Sequence, residues 1–468
     1  MKLLLTHGYF IASDEKEQEI MRPYAPLGIL YLSAYMKGKG IPTQVYDTTF
    51  STPEAFQTYL LEHKPPFVAI YVNLMTKLKV LESIRFIRDN PALKYTRIIL
   101  GGPEVTHHDE AFLRHGADYI VRGEGEETLY DLISTLDAPM NPFLDKVDGI
   151  SFINGKNEIY RTKTRAKIKN IDTLPFPDRK AIDLNQYFQA WKTHHGQSTA
   201  SISTMRGCPY SCKWCSRAVY GLSYRRRSAK LVVEEIAWIQ ANYEVDTFWF
   251  VDDVFTVSHK WLGQFAEALM EAGVEVRYEC ITRADRMNQE VIDLLEATGC
   301  FRAWIGAESG SQRILDAMDR RVTVDQVREM IQMTQAQGIQ AGTFIMLGYP
   351  GETEADIKDT IQHLVTSDPD LYTITVAYPI KGTPLYQEIE PVIIDPLPWE
   401  DRTDRDLDFK RTYTRRYYDY AVRRVYNEVN YHKSLKRKAI LQAGNHRMRA
   451  IGAKIGMWWE RHKSPLKN

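Results

Sequence analysis

Strand-like apolar runs alternate with amphipathic helical runs along most of the first 377 residues, and this alternation limits the possible folds more than any other feature. Five such pairs fill the first 136 residues: 2–6 with 26–39, 43–47 with 53–63, 66–73 with 77–89, 97–102 with 109–116, and 118–122 with 126–136. A helix between two strands carries the chain back across the sheet, so successive strands run parallel and need cover on both faces. The pattern therefore predicts an α/β fold that begins with a doubly wound parallel sheet.

The carboxyl ends of these strands are the predicted ligand-binding edge, because open parallel sheets bind ligands just beyond that edge. The residues expected there are His7, Asn73, Gly101, Gly102, Gly123 and Glu124. The glycines lack a Cβ atom, so a large flat ligand can approach their backbone closely. The alternative is that they only form tight turns between strands and helices.

A short hairpin and a connecting segment are expected after this sheet. Residues 148–162 have the pattern of two short strands, with Asn154-Gly155 at the turn. Pro175 and Pro177 lie in a segment of mixed polarity, residues 163–195, which predicts an irregular strap between two domains.

A second and more regular series of strands and helices begins near residue 199. Its predicted strands are 199–205, 247–252, 275–282, 301–307, 340–347 and 371–377, and its predicted helices are 229–243, 259–272, 289–298, 311–337 and 354–366. Six strands with intervening helices are typical of a partial (βα)6 barrel of the TIM type, whose active site lies at the carboxyl ends of the strands.

Helical stretches at 411–429 and 433–459 follow the barrel. The expected domains are 1–140 (doubly wound), 141–195 (hairpin and linker), 196–384 (partial barrel) and 385–468 (basic, helical).

Three of the five cysteines, Cys208, Cys212 and Cys215, fall within eight residues, directly after the first strand of the second series. Three thiolates leave one coordination position of a metal open to a small molecule, whereas a structural zinc site closes its shell with four ligands. A zinc site would need His194 or His195 as its fourth ligand, and both precede a predicted strand. The spacing favours an iron–sulfur cluster with one open iron.

The spacing C-x3-C-x2-C, with the aromatic Trp214 before the last cysteine, resembles the cluster loop of the radical S-adenosylmethionine (SAM) superfamily. The resemblance implies that the three cysteines hold a catalytic [4Fe-4S] cluster whose fourth iron binds the amino and carboxylate groups of SAM. Reductive cleavage of SAM would then give methionine and a 5′-deoxyadenosyl radical. The residues implied in SAM binding are Tyr210, Trp214, Asp252, Arg283, Glu308, Ser309 and Gly348. The alternatives are a surface salt bridge for Arg283 and a structural role for Glu308.

A doubly wound domain before such a barrel is similar to the cobalamin-binding domain of the cobalamin-dependent subclass, which includes anaerobic magnesium-protoporphyrin ester cyclases and radical SAM methyltransferases. The stretches that carry this resemblance are 26–32, 101–103 and 122–126. The Asp-x-His-x-x-Gly loop that many corrinoid domains use to ligate cobalt is absent after the first strand, so the lower cobalt ligand stays open. His107 and His108 are candidates, and the alternative is that they are solvated loop histidines.

The combined resemblance implies a cobalamin-dependent radical SAM enzyme that methylates an unactivated carbon of a small-molecule substrate. The open alternatives are a radical rearrangement or oxidative cyclisation without methyl transfer and, outside enzymes, a corrinoid or iron–sulfur sensor module. A methylthiotransferase is disfavoured because no cysteine precedes Cys208. The electron would come from a reducing partner such as flavodoxin or ferredoxin.

The formal net charge is zero, but from residue 401 onward the chain has 18 Lys and Arg and 7 Asp and Glu, which gives +11. A basic tail of this kind can touch an anionic surface, although most such tails are solvated helical faces. Trp458 and Trp459 lie among Lys and Arg residues there, so contact with a membrane surface is one alternative. No nucleic-acid partner is expected.

The remaining sequence features concern location and two residue clusters. A cytoplasmic location is expected, because there is no run of 18 apolar residues, no signal-peptide pattern and no secreted disulfide framework.

Cys280 and Cys300 fall on or next to predicted strands and are expected to be buried small hydrophobes. Arg225-Arg226-Arg227 either meets an anionic substrate or forms a solvated face.

Overall fold

The predicted doubly wound sheet forms at the amino terminus, with five parallel strands in the order β2-β1-β3-β4-β5. These strands are β1 Leu3–His7, β2 Thr43–Tyr46, β3 Phe67–Tyr71, β4 Arg97–Gly101 and β5 Tyr119–Val121. The helices between and after them are α1 Glu15–Ile20, α2 Leu27–Gly38, α3 Pro53–His63, α4 Lys77–Asp89, α5 Val105–Arg114 and α6 Gly125–Leu136. Leu4 belongs to one hydrophobic cluster, whereas Leu3 and Leu5 belong to another. Side chains alternate across a strand, so both faces of the sheet are covered.

The computed structural model describes residues 2–138 and 143–463. The chain divides into two compact units. The first comprises Met1–Pro209, Ser216–Trp249 and Leu397–Thr403, and the second comprises Tyr210–Cys215, Phe250–Pro396 and Asp404–Asn468.

The predicted hairpin is present, and it extends the first sheet. β6 (Ile150–Ile153) and β7 (Ile159–Arg161) pair antiparallel, and β6 also pairs antiparallel with β5. Asp109 of α5 accepts a hydrogen bond from the Ser151 hydroxyl at 2.8 Å and two more from the Arg161 guanidinium. These bonds tie the hairpin to a helix of the amino-terminal sheet.

The segment predicted as an irregular strap contains a helix, α7 (Leu184–His195), so the prediction is wrong for its last third. Asp183 caps the first turn, and Gly196 ends the helix in the left-handed conformation. The buried residues of α7, at helical spacing, are Leu184, Tyr187, Phe188 and Trp191. The prolines at 175 and 177 mark only the irregular part, because burial of an apolar helical face decides the structure beyond them.

The second sheet contains the six predicted strands in sequence order, β15-β14-β13-β12-β11-β8. The strands of this region are β8 Thr199–Ile202, β9 Met205–Arg206, β10 Arg225–Arg226, β11 Thr247–Phe250, β12 Tyr278–Thr282, β13 Cys300–Glu308, β14 Gln340–Leu347 and β15 Leu371–Val376, of which β9 and β10 form a separate ladder. The helices are α8 Ala229–Asn242, α9 His259–Ala272, α10 Gln289–Ala297, α11 Gln312–Ala317, α12 Val324–Ala336 and α13 Glu354–Ser367. The ladders from β12 to β15 are parallel. Sequential parallel strands with two edges are the topology expected of a partial barrel.

The single helical stretch predicted at 311–337 is two helices, α11 and α12. Asp319 and Arg321 lie between them with φ angles of +52° and +56°, and a right-handed helix cannot pass through such residues. Thr323 then caps α12 by accepting a hydrogen bond from the Gln326 N–H. The break creates a loop, residues 318–322, which reaches the site described below.

The carboxyl-terminal region continues the second unit. α14 (Pro384–Ile389) and the ladder of β16 (Ile393–Ile394) with β17 (Asp408–Phe409) precede two long helices. These are α15 (Arg415–Lys436), which packs against α13, and α16 (Ile440–Lys463), which packs against α15. None of the helices in the described part of the chain combines the length and apolar character that a membrane crossing requires.

Candidate active site

The cysteine loop starts from the short antiparallel ladder of β9 and β10. Arg206 lies opposite Arg225 in this ladder, so the two ends of the loop are held side by side. Gly207 precedes the first loop cysteine and has φ of +84°. A Cβ atom added to Gly207 would lie 2.3 Å from Ser223 Oγ and 2.7 Å from Ser223 O. Only glycine fits here without moving the neighbouring backbone.

The three predicted cluster ligands differ in their exposure to solvent. Cys208 and Cys212 are buried, and Cys215 is exposed. Cys208 also forms an isolated β-bridge with Leu222. Three cysteines in this spacing can supply the three thiolate ligands of a cluster with one open iron.

Two buried arginines donate hydrogen bonds to the Cys212 sulfur. Arg283 Nη1 lies 3.4 Å from Cys212 Sγ, and Arg320 Nη1 lies 3.7 Å from it. Arg283 also donates to Asp285 at 2.8 Å and to the Arg320 carbonyl at 2.7 Å. Since Arg283 is buried, a surface salt bridge is excluded for it. Two buried cationic side chains therefore fix the position of the Cys212 sulfur.

Tyr210, which was expected to bind SAM, packs beside these arginines. The Arg283 guanidinium carbon lies 3.9 Å from the centre of its ring, and Arg286 donates a hydrogen bond to its hydroxyl. Burial raises the pKa of Tyr210, so the side chain is a neutral phenol at neutral pH. Contact between Tyr210 and SAM stays a prediction.

Residues 318–321, here named the latch loop, bind three successive residues of the cysteine loop. Ser211 Oγ donates to Asp319 Oδ2 at 2.7 Å. The Lys213 N–H donates to the Met318 carbonyl at 3.1 Å. Between them, Cys212 receives the hydrogen bond from Arg320 described above. The latch loop therefore fixes the backbone and the sulfur of this segment together.

Trp214 anchors the cysteine loop in a hydrophobic cluster of the second unit. The ring is partly buried and packs against a cluster that contains Ile314, Met318, Tyr349 and Leu385. This packing is a sufficient reason for an aromatic residue before the last cysteine, and it does not involve SAM. Contact between Trp214 and SAM therefore stays a prediction.

Glu308 presents a carboxylate that has no hydrogen-bond or ion-pair partner among the described residues. Its backbone has φ of +67°, and the β13–β14 register shifts between Gly306 and Glu308, which is a β-bulge. Burial raises the pKa of Glu308, and Arg320 and Arg283 lower it. A bulge re-aims a side chain, and an acid at the carboxyl end of a barrel strand is typical of a functional group.

Ser309 and Asp252 are buried at the strand ends where they were expected. Ser309 Oγ accepts a hydrogen bond from the Ser311 N–H at 3.1 Å and lies 3.4 Å from Thr360 Oγ1. The Ser309 hydroxyl thus holds the turn that follows Glu308. Direct contacts of Ser309 and Asp252 with SAM stay predictions.

The turn after β14 is built around Gly348 and Glu352. Gly348 has φ of +77°, and its N–H donates to Glu352 Oε2 at 2.6 Å. Glu352 is fully buried, and this burial raises its pKa to about 8, so the carboxyl is mostly neutral at pH 7. Its other oxygen, Oε1, has no hydrogen-bond partner within the described ranges.

The carboxyl-terminal region contributes two side chains to this turn that sequence reasoning missed. Arg411 Nη1 donates to the carbonyl oxygens of Gly348 at 3.3 Å and Ala377 at 3.1 Å. Tyr418 Oη donates to the Glu352 carbonyl at 3.1 Å. The partners are 63 and 66 positions apart in the sequence, so no local pattern reveals the contacts. Arg320 was missed because its segment was predicted to be helical.

At the predicted cobalamin edge of the first sheet, His7 is buried and both of its ring nitrogens are engaged. Nε2 lies 2.9 Å from Asp47 Oδ1, and Nδ1 accepts a hydrogen bond from the Tyr9 N–H at 3.1 Å. The proton therefore resides on Nε2, and neither nitrogen is left to ligate cobalt in this arrangement. Any other contact of His7 with cobalamin stays a prediction.

The remaining residues of this edge differ in what occupies the space beside them. Asn73 Oδ1 accepts hydrogen bonds from two backbone N–H groups in the turn directly before α4. Gly102 has φ of +109°, and a Cβ there would lie 2.4 Å from Val72 O, so the protein's own chain requires this glycine. At Gly101 and Gly123 an added Cβ would meet its nearest neighbour only at 3.8 Å. Close approach of cobalamin to Gly101 and Gly123 stays a prediction.

Glu124 lies in a buried ion-pair network. Its Oε1 accepts from Arg206 Nη1 at 2.9 Å, and its Oε2 accepts from Arg225 Nη1 at 2.6 Å. Glu126 also pairs with Arg206. Because both arginines belong to the β9–β10 ladder, Glu124 positions the base of the cysteine loop. Both of its oxygens bind arginine, and its contact with cobalamin stays a prediction.

The Arg225-Arg226-Arg227 run is largely structural. Arg227 is buried and pairs with Glu235, which also pairs with the buried Arg179 at 2.8 Å. With Arg225 bound to Glu124, two of the three arginines serve internal ion pairs, and a solvated face is the wrong interpretation. Cys280 and Cys300 are buried, as predicted.

Two of the candidate metal-binding histidines have other partners. His108 is buried on α5, and its Nδ1 accepts a hydrogen bond from the Trp399 indole N–H at 3.1 Å, so it is not a solvated loop histidine. His195 Nε2 lies 3.1 Å from the Ile20 carbonyl and 3.0 Å from the Met21 carbonyl. This arrangement gives no support to a zinc site with His195.

The described residues fit the cofactors that the sequence implies. Cys212 is a buried cysteine whose sulfur accepts hydrogen bonds from two arginines, and sulfur is a ligand that iron–sulfur clusters use. The Glu308 carboxylate and the second oxygen of Glu352 are polar groups that a bound ligand can engage. In the first unit, Gly101 and Gly123 leave room beside the backbone at the strand ends.

Two family models match the chain. Residues 202–364 match the radical SAM superfamily, and residues 20–133 match the B12 binding domain. The first range covers most of the second strand–helix series, and the second range covers most of the amino-terminal sheet.

Several characterised or named proteins are similar to this chain over most of its length. An uncharacterized methyltransferase of Pyrococcus horikoshii is 28% identical over 77% of this chain and 78% of that protein. The anaerobic magnesium-protoporphyrin IX monomethyl ester cyclase of Cereibacter sphaeroides is 27% identical over 83% of this chain and 64% of that protein. Hopanoid C-3 methylase of Methylococcus capsulatus is 25% identical over 76% of this chain and 67% of that protein.

Two solved structures share the fold. The radical SAM methyltransferase TsrM from Kitasatospora setae, with cobalamin and a [4Fe-4S] cluster bound, has a TM-score of 0.69 and 18% identity, covering 85% of this chain and 81% of that one. The cobalamin-dependent SAM radical enzyme OxsB with aqua-cobalamin has a TM-score of 0.74 and 18% identity, covering 97% and 72%. The chain thus has a match to the B12 binding domain followed by a match to the radical SAM superfamily, and its relatives include methyltransferases and the anaerobic magnesium-protoporphyrin ester cyclase.

Proposed function

We propose that this enzyme methylates an unactivated carbon of a small molecule in a cobalamin-dependent radical SAM reaction. The observation that carries the proposal is the Cys212 thiol held by two buried arginines, Arg283 and Arg320, within the three-cysteine loop. Relatives named as methyltransferases act on substrates as different as hopanoids and a cytidylyl-2-hydroxyethylphosphonate. The proposal therefore extends to the reaction class and leaves the substrate unassigned.

In this proposal Cys208, Cys212 and Cys215 hold a [4Fe-4S] cluster, which supplies the electron for reductive cleavage of SAM. Arg283 and Arg320 hold the Cys212 sulfur in position through hydrogen bonds. The latch loop holds the residues on both sides of Cys212, so this segment needs little rearrangement to ligate iron.

Glu308 and Glu352 are the proposed contacts for the ribose and adenine ends of SAM. The Glu308 carboxylate can accept hydrogen bonds from two hydroxyl groups. Neutral Glu352 can donate a proton in a hydrogen bond, because burial keeps it protonated up to a pH of about 8. Arg411 fixes the turn that contains Gly348 and Glu352. Tyr210, Asp252, Arg283 and Ser309 are further proposed SAM-binding residues of the same unit.

For the amino-terminal domain, proposed as residues 1–140, we assign cobalamin binding at the carboxyl edge of β1 to β5. Cobalamin supplies methyl-transfer chemistry when it is bound. Gly101 and Gly123 are the proposed positions of close approach, because their backbones leave the most room among the predicted contacts. Residues 141–195 would connect this domain to the catalytic barrel at 196–384, and residues 385–468 would complete the barrel unit.

Anaerobic reconstitution with iron, sulfide, cobalamin, SAM and dithionite tests the reaction. The expected products are 5′-deoxyadenosine and S-adenosylhomocysteine, measured by liquid chromatography with mass spectrometry. Cys212→Ala should abolish 5′-deoxyadenosine, whereas Cys300→Ala, which removes a buried thiol outside the loop, should retain it. If wild-type protein forms neither product, or if Cys212→Ala forms both at the wild-type rate, the proposal is wrong.

A radical cyclisation without methyl transfer is the second candidate. Three anaerobic magnesium-protoporphyrin IX monomethyl ester cyclases are similar to 83%, 83% and 80% of this chain. Formation of 5′-deoxyadenosine without S-adenosylhomocysteine would favour this reaction. Binding of cluster and cobalamin with neither product would instead indicate a sensor module.

We also propose flavodoxin or ferredoxin as the electron donor and a cytoplasmic location. The location is supported by the distribution of the five cysteines, because three of them are clustered in one loop and do not have the spacing of a secreted disulfide framework. The donor is tested by replacing dithionite with reduced flavodoxin or ferredoxin in the same assay. Product formation at a comparable rate would support the proposal, and its absence with both proteins would contradict it.

A further inference from the structure

The last helix, α16, exposes an apolar stripe that the proposed reaction does not use. Its exposed apolar side chains, with relative exposures between 48% and 87%, are Leu441, Met448, Ile451, Ile455, Trp458 and Trp459. The buried residues of the helix, on the opposite side, are Ala443, Ala450, Ala453, Met457 and Glu460. Spacings of three, four and seven residues align each set along one face of a helix. One face of α16 thus packs on the protein while the other presents a continuous apolar surface.

Basic side chains border this stripe. Arg447, Lys454 and Arg461 repeat at intervals of seven residues, so they line one flank of the stripe along most of its length. Arg449 lies on the other flank. Arg447 and Arg461 each also reach a carboxylate on another helix, but their side chains remain 51% and 55% exposed.

No exposed carboxylate interrupts this basic surface on α16 itself. The sequence of the helix contains one acidic residue, Glu460. Glu460 is buried and lies 3.5 Å from Arg416 of α15. The outward surface of α16 therefore combines apolar side chains, two tryptophans and an excess of basic over acidic side chains.

We propose that α16 docks in the plane of an anionic membrane surface. The apolar stripe would enter the boundary between headgroups and acyl chains, and the flanking cations would contact lipid phosphates. Tryptophan is favoured at this boundary because its ring is apolar while its N–H is polar. With 24 residues, α16 presents a surface about 36 Å long, enough for several lipid headgroups.

A second copy of the chain could also cover the stripe. Residues 441, 448, 451, 455 and 458 have the spacing of three, four and seven residues that two paired helices use at their interface. If two α16 helices paired antiparallel, the flank with Arg447, Lys454 and Arg461 would face the same basic flank of the second helix. If they paired parallel, this flank would face neutral side chains such as Asn445. Neither arrangement places negative charge opposite these cations, whereas an anionic bilayer does.

Vesicle co-sedimentation of the full-length holoenzyme tests the proposal. Wild-type protein should bind vesicles of equal parts phosphatidylglycerol and phosphatidylcholine about tenfold more tightly than pure phosphatidylcholine vesicles. Ile455→Glu and Lys454→Glu should each weaken binding to the anionic vesicles by about tenfold. The matched control is Met270→Glu on α9, which should bind as wild type does, because it changes an apolar residue that is 78% exposed compared with 61% for Ile455.

Two outcomes would overturn the proposal. One is wild-type protein that stays in the supernatant with anionic vesicles, or Ile455→Glu that sediments as wild type does. The other is a dimer, found by size-exclusion chromatography with light scattering, that Ile455→Glu converts to a monomer, because the stripe would then be covered by a second copy. Ile455→Glu should retain SAM cleavage in solution, so loss of vesicle binding is distinguishable from failure of the proposed reaction.

Discussion

Arg320 is a side chain on which several parts of the active site depend. Its Nη1 donates to Cys212 Sγ, its Nη2 donates to the Gly306 carbonyl at 2.9 Å, and its own carbonyl accepts from Arg283. Its positive charge also lowers the pKa of Glu308 against the effect of burial. Arg320 thus links Cys212 and the bulge of β13 through its guanidinium, and it binds Arg283 through its backbone carbonyl.

Replacing Arg320 with glutamine should make the reduction potential of the cluster more negative, on the order of tens of millivolts. The reduced cluster carries one more negative charge than the oxidised cluster, so a nearby cation stabilises the reduced form. Redox titration followed by electron paramagnetic resonance measures the shift. Arg321→Gln is the matched control, because Arg321 is 72% exposed and pairs with Asp319. Equal potentials for Arg320→Gln and wild type would contradict this role.

The Glu352 carboxyl should make stability depend on pH, because burial raises its pKa from 4.5 to about 8. Between these values the folded chain keeps a proton that the unfolded chain has lost, so the free energy of unfolding falls as pH rises and levels off above about 8. The full effect is at most about 5 kcal/mol, from about 1.4 kcal/mol for each pKa unit.

Glu352→Gln is always neutral and should remove this part of the pH dependence. The thermal midpoint of each protein, followed by circular dichroism across this pH window, measures the slope. Glu329→Gln changes an exposed residue of α12 and should keep the wild-type slope. Parallel slopes for Glu352→Gln and wild type would show that Glu352 does not carry the effect.

At the scale of elements, the cysteine loop is held at its base by the β9–β10 ladder and near its middle by the latch loop. The ladder depends on Gly207 at one end and on the ion pairs of Glu124 with Arg206 and Arg225. The latch loop depends on two left-handed residues, Asp319 and Arg321, that interrupt the helix predicted there. Both devices are backbone conformations that a regular helix or strand could not provide.

Gly207→Ala should lower cluster loading and destabilise the protein by about 2 kcal/mol or more, because the new Cβ would overlap Ser223 at a positive φ angle. Iron and sulfide content after anaerobic reconstitution measures the loading. The control is Gly263→Ala on α9, where an added Cβ meets no atom within 4 Å. It should load fully and be slightly more stable, since alanine favours a helix by about 1 kcal/mol. Full loading of Gly207→Ala would contradict the steric argument.

At the scale of the whole molecule, the second unit is incomplete without the carboxyl-terminal region. Leu385, Ile389 and Phe409 belong to the hydrophobic cluster against which Trp214 packs. Arg411 and Tyr418 hold the turn after β14. The predicted domain boundary at residue 384 therefore separates residues that share one cluster.

A chain truncated after residue 384 should fail to retain the cluster and should lose most of its soluble yield. The truncation removes three buried apolar residues of the cluster around Trp214 and exposes the others. Each large apolar side chain that becomes exposed lowers the free energy of unfolding by about 1.5–3 kcal/mol. Soluble yield and iron content, compared with the full-length chain prepared in parallel, measure the effect. A truncated chain that binds iron as the full-length chain does would show that the barrel is complete without residues 385–468.

The sequence by itself determined the two strand–helix series and the cysteine loop. These depend on local patterns: apolar periodicity predicted β14 (Gln340–Leu347) and α4 (Lys77–Asp89) with their observed bounds, and cysteine spacing predicted the loop. Local patterns failed where burial or backbone strain decided the conformation, as in α7 (Leu184–His195) and in the break between α11 and α12.

Only the tertiary structure decided which side chains meet. Arg320 is 108 positions from Cys212, and Arg411 is 63 positions from Gly348, so neither contact has a sequence pattern. The structure also assigned Glu124 to an ion pair with Arg206, 82 positions away, whereas Glu308 has no hydrogen-bond or ion-pair partner in the part of the chain that the structure describes. The physical reason is that ionised groups must find partners when they are buried, and the fold alone determines which partners are within reach.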